Sequence, residues 1–301
     1  MDSGLQRLIS LIFDVNIMNN TMKEIGYDAK KMPLGRLGDS TIKEAYGVLN
    51  KLSEAVKKKD RGACTSLSGD FYSLIPHDFG FQKMSNFVLD NEEKVKEKLK
   101  MLETISDLKI TSKLLDQKND DNESVLDQNY KKLGCSIKSV DKKSNDYKLM
   151  EEYFNNTKGC YNKVSISDVF EVVRPTEEKQ FNSKLGNNML LWHGSRVSNF
   201  VGILSQGMRI APPEAPVSGY LFGKGIYLAD MAEKSINYCR SFGQPNALIL
   251  LLEVAIILFR EPSENQTYYS AATTMRKRRC KRTRRTRRSV TEPKLLLNLL
   301  T

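Results

Sequence analysis

Residues Asp116 to Ser124 read Asp-Gln-Lys-Asn-Asp-Asp-Asn-Glu-Ser, nine positions without an apolar side chain. A stretch of that kind has nothing to bury and reads as a linker, so the chain must build its cores on either side of it. The two sides differ in texture. Before the linker, Leu5, Leu8, Ile9, Ile12, Phe13 and Val15 recur at helical spacing toward a stop at Gly26, which predicts one helix. Ile42, Ala45, Tyr46, Leu49, Leu52 and Val56 form a second stripe, with Asp39, Ser40 or Thr41 as cap and Thr41 and Glu44 spaced as a capping box. Pro76 predicts a helix end at Leu74–Ile75, and a further helix runs from about Asn91 with Val95, Leu99, Leu102 and Ile105 facing a core.

After the linker the pattern turns to short strands. Val164–Val173, Met189–His193 and Gly225–Ala229 are candidates, and Ala247–Ala255 reads as a strand buried on both faces. Short helices fall at about Val197–Ser205 and Met231–Cys239. The class is therefore α+β: an all-α domain over residues 1–115, a linker over 116–124, an α+β domain over 125–255 and a divergent tail over 256–301.

Charge and cysteine usage narrow the function classes. The net charge of +11 is concentrated in the tail, where Arg276–Arg288 holds ten basic residues and no acid. Basicity therefore describes one segment and not the body. The five cysteines are scattered, with no Cys-x-x-Cys pair, so neither a disulfide framework nor a zinc site is expected. The longest apolar run, Ala247–Leu258, is short and carries Glu253. No membrane span and no signal peptide are expected.

The chemistry converges on one of two histidines. His77, in Ile75-Pro76-His77-Asp78-Phe79-Gly80, reads as a packing or capping residue at a helix exit. His193 ends a strand and is followed by Gly194-Ser195-Arg196, where a bare backbone can approach a ligand closely. Gly223-Lys224-Gly225-Ile226-Tyr227 sets two glycines beside a tyrosine. Ser235 and Tyr238 share a helix face.

Leu191-Trp192-His193-Gly194-Ser195-Arg196, Gly202-Ile203-Leu204-Ser205-Gln206-Gly207, Arg209-Ile210-Ala211-Pro212-Pro213-Glu214-Ala215-Pro216 and Gly223-Lys224-Gly225-Ile226-Tyr227-Leu228-Ala229-Asp230 closely resemble the catalytic domain of the poly(ADP-ribose) polymerase family. Lys31-Met32-Pro33-Leu34-Gly35 and Ile75-Pro76-His77-Asp78-Phe79-Gly80 resemble its helical regulatory domain. The resemblance covers roughly Leu5 to Ala255. It implies an enzyme that takes NAD as substrate, releases nicotinamide and passes ADP-ribose to protein acceptors or a growing polymer, without a metal. It implies that Gly194 holds the carboxamide through its backbone, Ser235 donates to the carboxamide oxygen and Tyr238 stacks on the ring, with Tyr227 on the other face. His193 and Ser195 would bond the adenosine ribose, and Gly202 and Arg209 would line the diphosphate side. His193 and Tyr227 are the catalytic candidates. It further implies that the helical domain restricts access of NAD, with Glu103 and Asp107 matching acids that face the pocket, and it implies a nuclear setting and DNA repair.

One part of the family pattern is missing. The family joins the His and the Tyr to a Glu on a late strand, and no segment after Ala255 resembles the one that carries it. Glu253, Glu261 and Glu264 stand in other contexts, and Glu253 reads as part of its strand. The sequence therefore predicts an incomplete catalytic domain with an open sheet, weak NAD binding and little polymer synthesis. A non-catalytic module binding an NAD-like ligand or nucleic acid is the alternative. Arg276–Arg288 fits phosphate neutralisation or nuclear import; a shifted reading frame or unspliced intron would produce the same run.

Overall fold

The computed structural model describes the chain except residues 119, 162, 179–187, 218–219, 221–222, 240–244, 256–257, 260–267, 270–293 and 301. In chain order its elements begin with α1 (Ser3–Ile12), α2 (Val15–Glu24), α3 (Asp39–Lys57), α4 (Arg61–Leu74), α5 (Glu92–Leu115) and α6 (Val125–Lys132). There follow β1 (Ser136–Ser139), α7 (Asn145–Thr157), β2 (Ser165–Val173), α8 (Pro175–Glu178), β3 (Asn188–Gly194), α9 (Phe200–Gln206), α10 (Ala232–Cys239) and β4 (Asn246–Ala255). Three further strands are β5 (Leu258–Phe259), β6 (Tyr268–Tyr269) and β7 (Lys294–Leu300). These elements form two compact units, neither of which is one continuous stretch. One contains Met1–Leu11, Leu133–Val197 and Ile226–Thr301; the other contains Ile12–Lys132 and Ser198–Gly225.

The second unit is helical. Leu49, Leu52, Phe71, Ile75, Leu102, Ile105 and Leu108 are fully buried in its core, which Ala215 joins from the far end of the chain. Two sequence expectations are corrected here. The apolar stretch from Leu5 to Gly26 is two helices, because Asp14 accepts from the amide of Asn16 and starts α2 afresh. The cap of α3 is Gly38, with no side-chain bond, and not Asp39, Ser40 or Thr41. Asp39 is drawn away by α5, where it pairs with the ammonium of Lys109 and, at 3.7 Å, that of Lys113. Other boundaries fall where expected: Asn91 caps α5 through the amide of Lys94, and Ile75 leaves helical geometry before Pro76. His77 is buried, accepts from Lys98 Nζ at 2.8 Å and packs beside Tyr72, Phe79 and Phe87, the packing role expected of it.

The first unit is built on a five-stranded antiparallel sheet in the order β1-β2-β7-β4-β3. β4 is buried on both faces from Ala247 to Leu252, as its unbroken apolar run predicts. One face carries Trp192, Ala247, Ile249 and Leu251 against Phe154 of α7 and Ile236 and Cys239 of α10. The expected open sheet is corrected. The tail supplies β7 to the centre, where Leu297 pairs with Val169 on one side and Ile249 on the other. β5 and β6 make a separate two-stranded ladder. Gly225–Ala229, expected as a strand, is not one: bridges fall at Leu228 and Ala229, and Ala229 exchanges a reciprocal pair of backbone bonds with Trp192. Arg276–Arg288, Glu261 and Glu264 lie outside the described residues.

Candidate functional site

The site grows from the end of β3. Trp192 is wholly buried, stacked on Tyr153 with ring centroids 5.2 Å apart and meeting Phe154 edge-on at 5.9 Å. Tyr153 Oη donates toward the carbonyls of Leu190 and Asp230, at 3.0 and 3.2 Å. The backbone of Trp192 exchanges both its bonds with Ala229, at 2.7 and 2.9 Å. These contacts tie the 227–230 segment to β3 and so fix Tyr227 beside His193.

His193 Nδ1 lies 3.0 Å from the carbonyl oxygen of Tyr227. A carbonyl can only accept, so Nδ1 carries the proton and Nε2 presents a lone pair. Burial holds His193 below the usual histidine range and outweighs the opposing effect of the Tyr227 bond. The residue therefore presents Nε2 as an acceptor.

Gly194 follows, and its lack of a side chain has a packing reason. A Cβ there would stand 1.8 Å from the Ser235 carbonyl oxygen and 3.2 Å from Cys239 Sγ. α10 thus lies directly on the end of β3. The amide of Ser195 donates to Cys239 Sγ, while the thiol itself reaches the Leu248 carbonyl at 3.2 Å. Burial pushes that thiol up to about 12, against the pull of the Ser195 amide, so Cys239 is an inert fastener. On the same helix Ser235 is buried and Tyr238 is half exposed. The structure brings His193, Gly194, Ser195, Tyr227, Ser235 and Tyr238 into one unit.

Gly202 and Arg209 belong to the other unit and meet α5 there. α9 ends at Gly207, which adopts φ +83° and turns the chain into Arg209. Arg209 Nη2 donates to Asp107 Oδ1, and a Cβ on Gly202 would lie 2.9 Å from that same oxygen. One turn earlier, Glu103 accepts from Tyr220 Oη at 2.6 Å. Burial raises Asp107 to about 6, outweighing the Arg209 guanidinium that pulls it down, and burial also raises Glu103 against its Tyr220 bond.

Glu253 is not part of the His193 group. It pairs across the sheet with Leu190 and accepts from Asn188 Nδ2 at 2.9 Å. His193 pairs with Leu250, three positions from Glu253, so the two side chains leave opposite faces of the sheet. Among the described residues no cluster of three metal-ligating side chains occurs, and no helix is long and apolar enough to cross a membrane. Sequence reasoning missed Tyr153, Cys239 and Tyr220, which act through contacts distant in sequence and leave no local pattern.

Comparison with known proteins matches residues 1–130 to the poly(ADP-ribose) polymerase regulatory domain and residues 144–293 to the poly(ADP-ribose) polymerase catalytic domain. The chain is 44% identical over 262 residues to poly [ADP-ribose] polymerase 2 of Zea mays, covering 85% of this chain and 40% of that protein. It is 41% identical over 261 residues to poly [ADP-ribose] polymerase 2 of Homo sapiens, covering 85% and 44%. With poly [ADP-ribose] polymerase 1 of Gallus gallus it shares 45% over 262 residues, covering 84% and 26%. The chain thus spans less than half the length of these relatives.

Proposed function

The chain belongs to the poly(ADP-ribose) polymerase family, and on that premise we propose that it binds NAD as substrate and transfers ADP-ribose slowly to protein acceptors, releasing nicotinamide. The observation that carries this reading is the His193 ring held through Nδ1 against the Tyr227 carbonyl, with Ser235 on the helix that packs against Gly194. The nicotinamide–ribose bond breaks with its electron pair leaving on nicotinamide, and positive charge builds on the ribose. His193 Nε2 accepts from the adenosine ribose, the Gly194 backbone and Ser235 hold the carboxamide, and Tyr227 and Tyr238 enclose the ring, which fixes the reacting geometry.

The rate is proposed to be slow because the sequence offers no segment like the one that carries the family's Glu, and Glu261 and Glu264 lie outside the described residues. Glu253 sits on the face of the sheet away from His193, and absence of one preorganised electrostatic group costs about 10²- to 10³-fold in rate. That placement favours, as the second reading, a module that binds NAD-like ligands without transfer. The pairing of Asp107 with Arg209 supports a restrictive role for α5, since the same guanidinium is proposed for the diphosphate. For Arg276–Arg288 we keep phosphate neutralisation and a nuclear setting as proposals from sequence. The deciding experiment incubates the full chain with labelled NAD and follows nicotinamide release and acceptor labelling. Slow release with single ADP-ribose additions supports transfer; binding with no release at all supports the second reading.

A further inference from the structure

We propose that Lys98 is a modification site, acylated at Nζ by an acyl thioester, with His77 as the base that takes the proton from the amine. Lys98 stands on α5 and is half-buried, with Nζ 2.8 Å from His77 Nε2 and 5.7 Å from the centroid of the Tyr72 ring. Among the described residues no carboxylate lies within ion-pairing distance of it. An amine and a base within hydrogen-bond reach form the pair that activates a nucleophile. Neither residue is assigned to NAD, so the site is independent of the reading above.

The base is held in place. Its ring is buried beside Tyr72, Phe79 and Phe87, and Gly26, at φ +75°, lies so close that an added Cβ would stand 2.6 Å from Nε2. The Asp78 amide donates to the Gly26 carbonyl and the Asp28 amide to the Pro76 carbonyl, each at 3.0 Å, which fastens the two segments around the ring. Nε2 therefore keeps its lone pair on Lys98. When Nζ is neutral, one N–H still donates to the ring and the nitrogen lone pair is left to attack. Burial lowers Lys98 to about 8, against the opposing charge of Glu97, and lowers His77 to about 4, with help from Lys98 and against Asp78. At pH 7 roughly a tenth of Lys98 is then free amine, against roughly one part in 3,000 for a lysine at the usual 10.5.

The surroundings select the class of reagent. A half-buried ammonium with no counter-ion is costly, and a carbamate would replace it with an equally unpaired negative charge, whereas an amide is neutral. The amide also keeps one N–H on Nζ, so the bond to His77 survives. In the reaction the amine forms a C–N bond to the thioester carbonyl carbon, and the C–S bond breaks with its electron pair leaving on the thiolate. The proton lost from nitrogen passes to His77 Nε2 and from there to the thiolate, which departs as a thiol.

The test incubates the full chain with acetyl-coenzyme A between about pH 6 and 10 and follows acetylation of Lys98 by mass spectrometry, in the native state and in guanidinium chloride. At pH 7 the native chain should acetylate Lys98 about tenfold or more faster than the unfolded chain does, and the native rate should level off above about pH 8 while the unfolded rate goes on rising. His77→Gln keeps an acceptor for Nζ and removes the base, and should lower the native plateau several-fold. The native profile decides independently of that variant. No acetylation of Lys98, a native rate no greater than the unfolded one at pH 7, or a native rate that climbs past pH 8 in parallel with it, overturns the proposal; so does a folded His77→Gln chain that reacts at the native rate.

Discussion

The carboxylate of Asp107 accepts from the guanidinium of Arg209 although 102 residues separate them in sequence. Asp107 also stands over Gly202, so one acid of α5 meets both residues assigned to the diphosphate side of NAD. On the function proposed above, the helix and the cofactor would compete for the same cation. Asp107→Asn should therefore tighten binding of an ADP-containing ligand several-fold while leaving benzamide binding unchanged, as titration with each would show.

Asp107 also predicts a pH dependence of stability. Its folded value is raised to about 6 from 3.8, chiefly by burial. A raised folded value means that the group's stabilising contribution is fully present below pH 3.8 and is lost as the pH rises through about 6. Two units correspond to roughly 2.7 kcal/mol, and residual exposure of the side chain reduces this to about 1–2 kcal/mol. Denaturant titrations at acidic and neutral pH should show Asp107→Asn gaining that amount near neutrality and losing the corresponding slope.

Both histidines should stay neutral across the physiological range. Burial lowers His193, and it lowers His77 to about 4 with help from the ammonium of Lys98. For each, the depressed folded value means stability present above the ordinary histidine pKa near 6.5 and lost as the pH falls through the folded one. Nitrogen chemical shifts of the two imidazoles should report Nδ1–H tautomers, with the His77 midpoint near 4 and the His193 midpoint below the ordinary histidine value. A midpoint near 6.5 for His193 would remove the neutral acceptor from the site.

Gly194→Ala should be a folding lesion and not a clean active-site block. The new methyl would stand 1.8 Å from the backbone oxygen of Ser235, so α10 must move, at a cost of about 2–3 kcal/mol or more. The melting temperature should fall without any ligand present.

Much of this architecture was legible. The helical spacing of Val95, Leu99, Leu102 and Ile105 and the unbroken apolar run of β4 each announced a core-facing element, because burial imposes those patterns directly. The candidate site residues could be named only through family resemblance, since a strand-end histidine beside a glycine has no periodicity of its own. What escaped was decided at long range. The break at Asp14 is a local cap inside an apolar pattern that continues across it. β7 is a leucine run whose strand character comes from the two neighbours it pairs with, β2 and β4, and leucine alone has no strong strand preference.

That strand gives a further prediction. Leu297→Pro removes an amide from the middle of a strand flanked on both sides, which costs about 3 kcal/mol or more. Cooperative unfolding of the sheet should be lost, read as a fall in the melting temperature of the α+β unit. An unchanged melt would mean that the tail does not complete the sheet.

The central claim is that His193, Gly194, Ser235 and the two tyrosines form a pocket for a pyridine carboxamide. The most direct measurement is thermal stabilisation by benzamide in the native chain and in Ser235→Ala, a change that keeps the Cβ and leaves α10 seated on Gly194. The account predicts a saturable rise in melting temperature for the native chain that is largely lost in the variant; no rise in the native chain, or an equal rise in both, would contradict it.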